Sequence, residues 1–190
     1  IALAIRLNMG SPVLFLQSRP GLNERPFTCL KFRTMRNEEE TPTGMPLSDS
    51  ERLTTLGSWL RRTSLDEVPQ LANVLRGDMS LVGPRPLLIR YLPYYTPEER
   101  RRHSMRPGLT GWAQIHGRNH VSFARRLQMD TWYVNHASLQ LDIRILLATV
   151  WLVVTGKDVA ARPEQAGCLI EERLSESHAR EQEGPASQHT

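Results

Sequence analysis

The most apolar stretch of this chain, ILLATVWLVV over residues 145–154, is ten residues long. A helix needs about 20 apolar residues to cross the hydrocarbon core of a bilayer. The segment therefore cannot span a membrane, and two settings fit it equally. It can be a core helix, or it can lie in a membrane interface with Asp142, Arg144 and Lys157 toward headgroups. The first residues, IALAIRL, read as the last turns of an apolar helix already under way, which raises the expectation of a membrane-associating segment before them. With 190 residues the chain can bury one good core. Its 24 Lys and Arg, nearly all arginine, against 20 Asp and Glu favour anionic partners without choosing among nucleic acid, phosphorylated metabolites and lipid headgroups. The two cysteines, Cys29 and Cys168, suggest a reducing compartment and offer no metal-ligand spacing.

Along the chain, VLFLQ at residues 13–17 reads as a strand. Pro20 and Gly21 are placed as in a type II turn, beside an Asn23 that tolerates unusual dihedrals. PFTCLKFRTM has apolar groups on both faces, predicting a largely buried strand that ends near Arg33. Asn37 to Ser50 reads as a surface loop or lid. SERLTTLGSWLRR follows as a helix capped by Asp49 or Ser50, with Leu53, Leu56 and Leu60 in register. VPQLANVLRGDM places Leu71, Val74 and Leu75 on one helical face and stops at Gly77. SLVGPRPLL reads as a rigid loop, and PEERRRH as a short helix whose closing arginines complement the helix dipole. RPGLTGWAQIHGRN is tightly threaded, SFARRLQMDTWYVNH is a helix with Phe123, Leu127 and Trp132 inward, and ESHAREQEGPASQHT is an expected disordered tail. GxGxxG, GxxxxGK, HExxH and CxxC are all absent from the sequence, so neither a standard nucleotide fold nor a zinc site has motif support.

Chemistry concentrates in RRTSLDEVPQL. Ser64 with Glu67 three positions on has the form of a capping box. Pro69 weakens that reading, because it lacks an amide and pushes Val68 away from helical geometry. A helix starting at Pro69 instead would free Asp66 and Glu67 from capping. Adjacent carboxylates diverge on any regular backbone, so the two would take different roles. One can attack a phosphoryl group while its neighbour sits near a divalent metal; capping and surface charge is the plainer alternative. Arg85, clamped between Pro84 and Pro86, is pre-organised to meet a phosphate or a carboxylate in bidentate fashion. Lys31 and Arg33 share strand parity and could present two cations to one anion. Arg118 and Asp130 are further candidates, for a phosphate and for a metal or hydroxyl.

KFRTM, RRTSLDEVPQLANVLRGDMSLVGPRP, RPGLTGWAQIHGRN and LQMDTWYVNHASLQLDIRILL together resemble the bacterial sugar transferases, the monotopic phosphoglycosyl transferases, and most of all their small members. The resemblance runs from about Ile1 to Lys157, leaving 158–190 as a C-terminal tail. It implies an α/β fold: a compact, mostly helical, monotopic membrane-associated catalytic domain with a small β element. It also implies transfer of a sugar 1-phosphate from a UDP-sugar to polyprenyl phosphate on the cytoplasmic face of the bacterial inner membrane, with release of UMP and with Mg2+ as cofactor. Carried over residue by residue, Asp66 matches the nucleophile and Glu67 its companion near the metal. Arg85 matches a contact to substrate phosphates, and Arg61, Arg118 and Asp130 match polar positions lining the site. Family members have a re-entrant hairpin whose returning half IALAIRL resembles. The small members often take amino-sugar nucleotides, so a UDP-amino sugar is the expected donor, with other glycan-assembly enzymes as pathway partners. Asn135 and His136 depart from the residues expected before SL, which bears on packing or sugar choice.

Two other readings compete. A soluble metal-dependent phosphatase or phosphodiesterase would use the same carboxylates with water as acceptor. A basic nucleic-acid- or membrane-binding module would need no chemistry. Nucleic acid is disfavoured because the aromatic residues lie within apolar helical stretches instead of alternating with arginines as stacking platforms.

Overall fold

The computed structural model describes residues 1–37, 47–116, 121–155, 169–171 and 173. After helix α1 (Ala2–Met9), strands β1 (Leu14–Pro20) and β2 (Pro26–Phe32) form an antiparallel pair. Its register sets Phe15 against Lys31, Gln17 against Cys29 and Arg19 against Phe27. The connection is not a type II turn, which needs a positive φ at the glycine. Gly21 has φ −103°, and the left-handed residues are Asn23 and Glu24. In β2 only Cys29 is fully buried, so the strand is half-covered.

SERLTTLGSWLRR breaks into two helices, α2 (Asp49–Arg52) and α3 (Thr55–Arg62). The cap of α2 is Ser48, in a capping box with Glu51, and not Asp49 or Ser50; Thr54 caps α3. The interruption falls at Leu53, which bridges to Met35, and it lays α3 directly on the backbone of Thr34. A Cβ at Gly57 would stand 1.8 Å from the Thr34 carbonyl oxygen, so only glycine permits this approach.

Ser64 does not cap a helix. It takes left-handed geometry at φ 56° just beyond the end of α3, donating its amide to the Arg61 carbonyl, and its side chain caps nothing. Leu65–Glu67 then makes one 3-10 turn, and α4 (Gln70–Arg76) starts after Pro69, the alternative that the missing proline amide favours; Val68, however, is not pushed out of helical geometry by the proline, having φ −52° and ψ −39°. Gly77, left-handed at φ 81°, ends α4 as expected. The buried face of α4 is the reverse of the expected one: Gln70 and Asn73 are inside, while Leu71 and Leu75 are exposed.

SLVGPRPLL begins as a strand. β3 (Ser80–Val82) pairs in parallel with β4 (Gly108–Thr110). The two backbones touch where they leave the pair, and a Cβ on Gly108 would meet the Gly83 amide nitrogen at 2.1 Å. Between them, α5 (Pro97–Arg100) has a capping box formed by Thr96 and Glu99 and passes into a 3-10 turn at Arg101–Ser104. The arginines of that turn do not all serve the helix dipole, since Arg102 is buried.

α6 (Trp112–Ile115), α7 (Phe123–His136) and α8 (Leu139–Thr155) complete the domain. Phe123 and Leu127 point inward as expected and pack with Tyr91, Tyr95 and Leu169. Trp132 does not point inward; it is half-exposed and stacks on Trp112 at 4.6 Å. α8 buries Ile145 and Leu152 and leaves Leu147, Val150, Trp151 and Val154 exposed, so it is a core helix on one side only. Asp142 accepts a 2.6 Å hydrogen bond from the Tyr133 hydroxyl, which turns it toward α7 and away from the headgroup position expected for it. Lys157, Cys168, most of the 37–50 loop and the 176–190 tail lie outside the described residues. No helix among the described residues is long and apolar enough to cross a membrane. The domain is mostly helical with a small β element.

Candidate active site

One face of the β1–β2 pair, the 3-10 turn at Leu65–Glu67, the Pro84–Arg85–Pro86 loop and α8 enclose a cavity of about 1090 Å³. Strand register explains the first wall. Phe15, Gln17, Arg19 and Lys31 share one side of the ladder, and all four line the cavity. Asn73 secures this wall from beneath: its amide nitrogen donates to the Thr28 carbonyl at 2.8 Å and its oxygen accepts from the Leu30 amide at 3.1 Å. The buried polar side of α4 is thus the support on which β2 is held.

The tight turn before Pro69 separates the two acidic residues. Glu67 Oε1 accepts from Lys31 Nζ at 2.7 Å and from Arg85 Nη2 at 2.6 Å, while Oε2 has a longer 3.4 Å contact with Arg85 Nη1. Glu67 is mostly shielded from solvent, its side chain 16% exposed, which alone would raise its pKa, but Arg85 and Lys31 overcome that cost and hold the carboxyl far below the usual carboxylate range. Asp66 is only 9% exposed, lines the cavity, and accepts no hydrogen bond among the described residues. Burial, and next the charge on Glu67, raise its pKa above the ordinary value, against the opposing pull of Lys31, Arg85 and Arg61. The site therefore holds one neutralised carboxylate that organises two cations and one unpaired carboxylate facing the cavity.

The other expected site residues divide. Arg61 lines the cavity and donates from Nε to the Thr34 hydroxyl at 3.0 Å, an anchor that leaves the end of the guanidinium facing the cavity. Arg85 is brought to Glu67 as the rigid loop suggested. Lys31 and Arg33 do not converge on one anion. The Arg33 guanidinium is buried and donates to the carbonyls of Ser11 at 3.1 Å, Gly10 at 2.9 Å and Met9, where it satisfies the chain leaving α1. Asp130 lines the cavity, but its carboxylate meets Arg102 Nη2 at 2.7 Å. Arg118 lies outside the described residues.

Sequence reasoning missed Arg19, Arg126 and Arg102. Arg19 lines the cavity and is held by Gln17 at 2.6 Å and the Pro86 carbonyl at 3.3 Å; its parity with Gln17 and, across the ladder, with Lys31 was the available signal. Arg102 carried none, since it is one of three consecutive arginines. The lining also includes a set of apolar residues, Val68, Leu71, Leu81, Leu146, Val150 and Val153, most of them exposed.

A family model described as bacterial sugar transferase matches residues 1–156. An uncharacterized sugar transferase, EpsL, of Bacillus subtilis is 49% identical over 173 residues, covering 91% of this chain and 83% of the relative. A UDP-glucose:undecaprenyl-phosphate glucose-1-phosphate transferase of Caulobacter vibrioides is 45% identical over 81% of this chain and 61% of its own length. A protein of the same description from Escherichia coli is 39% identical, over 80% of this chain and 34% of its own. The chain thus spans most of the first relative but only about a third to three fifths of the two with a stated reaction.

Proposed function

Because this chain belongs to the bacterial sugar transferase family, we propose that it transfers a sugar 1-phosphate from a UDP-sugar to polyprenyl phosphate through a covalent aspartyl intermediate on Asp66. The observation that carries the reading is the unpaired, buried Asp66 carboxylate lining a basic cavity that is also lined by exposed apolar residues. A basic lining suits the diphosphate of the donor. Exposed apolar residues of the lining, continued by those of α8, suit an acceptor whose phosphate arrives on a lipid, with the domain lying on the cytoplasmic leaflet.

In the first half-reaction an Asp66 carboxylate oxygen attacks the sugar-bearing phosphorus. The bond to the bridging oxygen breaks, and UMP leaves with the electron pair. In the second, an oxygen of polyprenyl phosphate attacks the same phosphorus and the aspartyl oxygen leaves, restoring the carboxylate. Two steps let UMP depart before the second polyanion enters, which lessens repulsion in the cavity. Arg85 and Lys31, already fixed on Glu67, provide donors beside the developing phosphoryl charge, and Arg61 lines the same cavity.

The residues also suit magnesium. It commonly sits on one or two carboxylates together with substrate phosphates and water, so no closed cage is needed. Asp66 and the more loosely held Oε2 of Glu67 would hold it, and it would neutralise phosphoryl charge when bound. The donor sugar remains a UDP-sugar, with UDP-amino sugars and UDP-glucose as the pair to compare.

The test is incubation of the protein in membranes with polyprenyl phosphate, magnesium and a panel of UDP-sugars, following UMP. Wild type is expected to release UMP with at least one donor, and Asp66→Asn to release none. Near-normal turnover by Asp66→Asn would remove the covalent mechanism. Release of free sugar phosphate without a lipid product would favour the phosphatase reading.

A further inference from the structure

Arg85 reaches Glu67 from a loop whose neighbouring carbonyls are both engaged, Pro84 by the Gly108 amide at 3.0 Å and Pro86 by Arg19 Nη1 at 3.3 Å. Its side chain is 43% exposed, and the flanking Pro84 and Pro86 have no amide hydrogen to give. The carbonyl of Arg85 itself, between those two, is held by a buried arginine. Arg102, whose side chain is 1% exposed, donates from Nη2 to the Arg85 carbonyl at 2.5 Å and to Asp130 Oδ2 at 2.7 Å, and from Nη1 to the Tyr95 hydroxyl at 3.0 Å. One planar guanidinium thus ties together the 3-10 turn after α5, the middle of α7 and the loop bearing Arg85.

We infer that Arg102 is a positioning residue for Arg85, and that Asp130 acts through Arg102 and not on substrate. The inference rests on the function proposed above. A buried guanidinium needs a counter-charge, and the Asp130 carboxylate supplies it through one close Nη2–Oδ2 contact. With the charge compensated, the remaining donor capacity of Nη2 fixes the Arg85 carbonyl, and the loop in turn aims the Arg85 side chain at Glu67. Asp130 faces Arg102 first and Arg126 and Arg85 more remotely; burial raises its carboxyl to about 6 in spite of them. A group that desolvated makes a poor contact for an incoming polyanion and a suitable anchor for Arg102. Lysine cannot replace Arg102, because an ammonium lacks the fixed fork that serves the carboxylate, the carbonyl and the hydroxyl at once.

The experiment is a pair of double-mutant cycles on the full chain in membranes or detergent. UDP affinity is measured by calorimetry, UMP release by kcat and KM, and folding by thermal melting. Arg102→Met is expected to weaken UDP binding about tenfold in the presence of native Arg85, and by less than about twofold when Arg85 is already lysine. Asp130→Asn should likewise lose most of its effect on kcat/KM once Arg102 is methionine. If the losses multiply in either cycle, Arg102 does not act through Arg85, or Asp130 has its own contact with substrate, and the inference falls. For variants that melt too early to assay, Arg102→Met with Asp130→Leu removes both buried charges. That pair should melt above either single variant while still binding UDP weakly; recovery of native UDP affinity would overturn the proposal. Wild type that binds UDP but releases no UMP would defeat the proposed reaction and leave the binding cycle readable.

Discussion

Helices α4 and α7 are both amphipathic in sequence, yet they bury opposite kinds of side chain. α7 follows the hydrophobic rule: Phe123, Leu127 and Tyr133 are inside and join the cores formed with Tyr91, Tyr95 and Val82. α4 inverts it. Asn73 is 0% exposed and Leu75 is 89% exposed. The difference teaches what each helix is for. α7 is held by apolar burial and carries one charged group, Asp130, inward to Arg102. α4 is held by hydrogen bonds to the backbone of β2, the strand that brings Lys31 to the site, and leaves Leu71 and Leu75 exposed. Each helix also lies beside a buried aspartate, and the two aspartates differ in the same way: Asp130 is paired, whereas Asp66 is free.

The sharpest way to break this contrast is to exchange the chemistries. Leu127→Asn should lose roughly 2–5 kcal/mol, the cost of an emptied apolar site filled by an amide without partners. Asn73→Leu, although it makes α4 more conventionally hydrophobic inside, should also destabilise, by about 1–3 kcal/mol for each backbone group it orphans. Urea unfolding of the two variants checks both. A stabilised Asn73→Leu would show that α4 is an ordinary apolar helix.

A second test compares the aspartates by pH. The folded-state pKa of Asp66 is raised above 3.8, mainly by burial. The stability its protonated form contributes is present below that value and is lost as pH rises through the raised pKa. Asp66→Asn is therefore expected to melt higher than wild type at neutral pH, with the advantage fading under acid conditions, and to be inactive throughout. Catalysis needs the ionised form, so the acid limb of kcat/KM should move up in Lys31→Met, which removes an opposing cation, and down in Glu67→Gln, which removes a repelling charge. Movement in the same direction in both variants would disconnect the limb from Asp66.

The smallest effect on folding belongs to the outward leucines. Leu75→Ser should change stability in solution by no more than about 0.5 kcal/mol, and yet reduce sedimentation with anionic lipid vesicles. Unchanged vesicle binding would separate the exposed face of α4 from the membrane.

Much of this architecture was legible locally. Pro69 pointed to a helix starting there and not at Ser64, and Gly77 marked the end of α4, because a missing amide and a left-handed residue act within one turn of chain. The Pro84–Arg85–Pro86 clamp marked a cation held for a phosphate or a carboxylate, and the structure gives it the carboxylate of Glu67. The same logic misread Ser64, where the spacing to Glu67 imitates a cap although the residue closes the preceding helix. It also misread Arg33, whose parity with Lys31 holds along the strand but whose guanidinium goes back to the carbonyls after α1. The inner face of α4 could not be read from periodicity, because periodicity ranks hydrophobicity and cannot see that β2 needs an amide beneath it.

The sequence by itself determined the chemistry on hand: two adjacent carboxylates that must part, a pre-organised arginine, an excess of basic groups and an apolar helix too short to span a bilayer. These follow from bond geometry, charge and length. Which carboxylate is neutralised, which of three arginines is buried and which side of α4 faces inward were decided only by the tertiary structure. Such choices depend on groups distant in the chain, Lys31 and Arg85 for Glu67 and Asp130 for Arg102, whose mutual desolvation and hydrogen bonding exist only once the chain has closed around them.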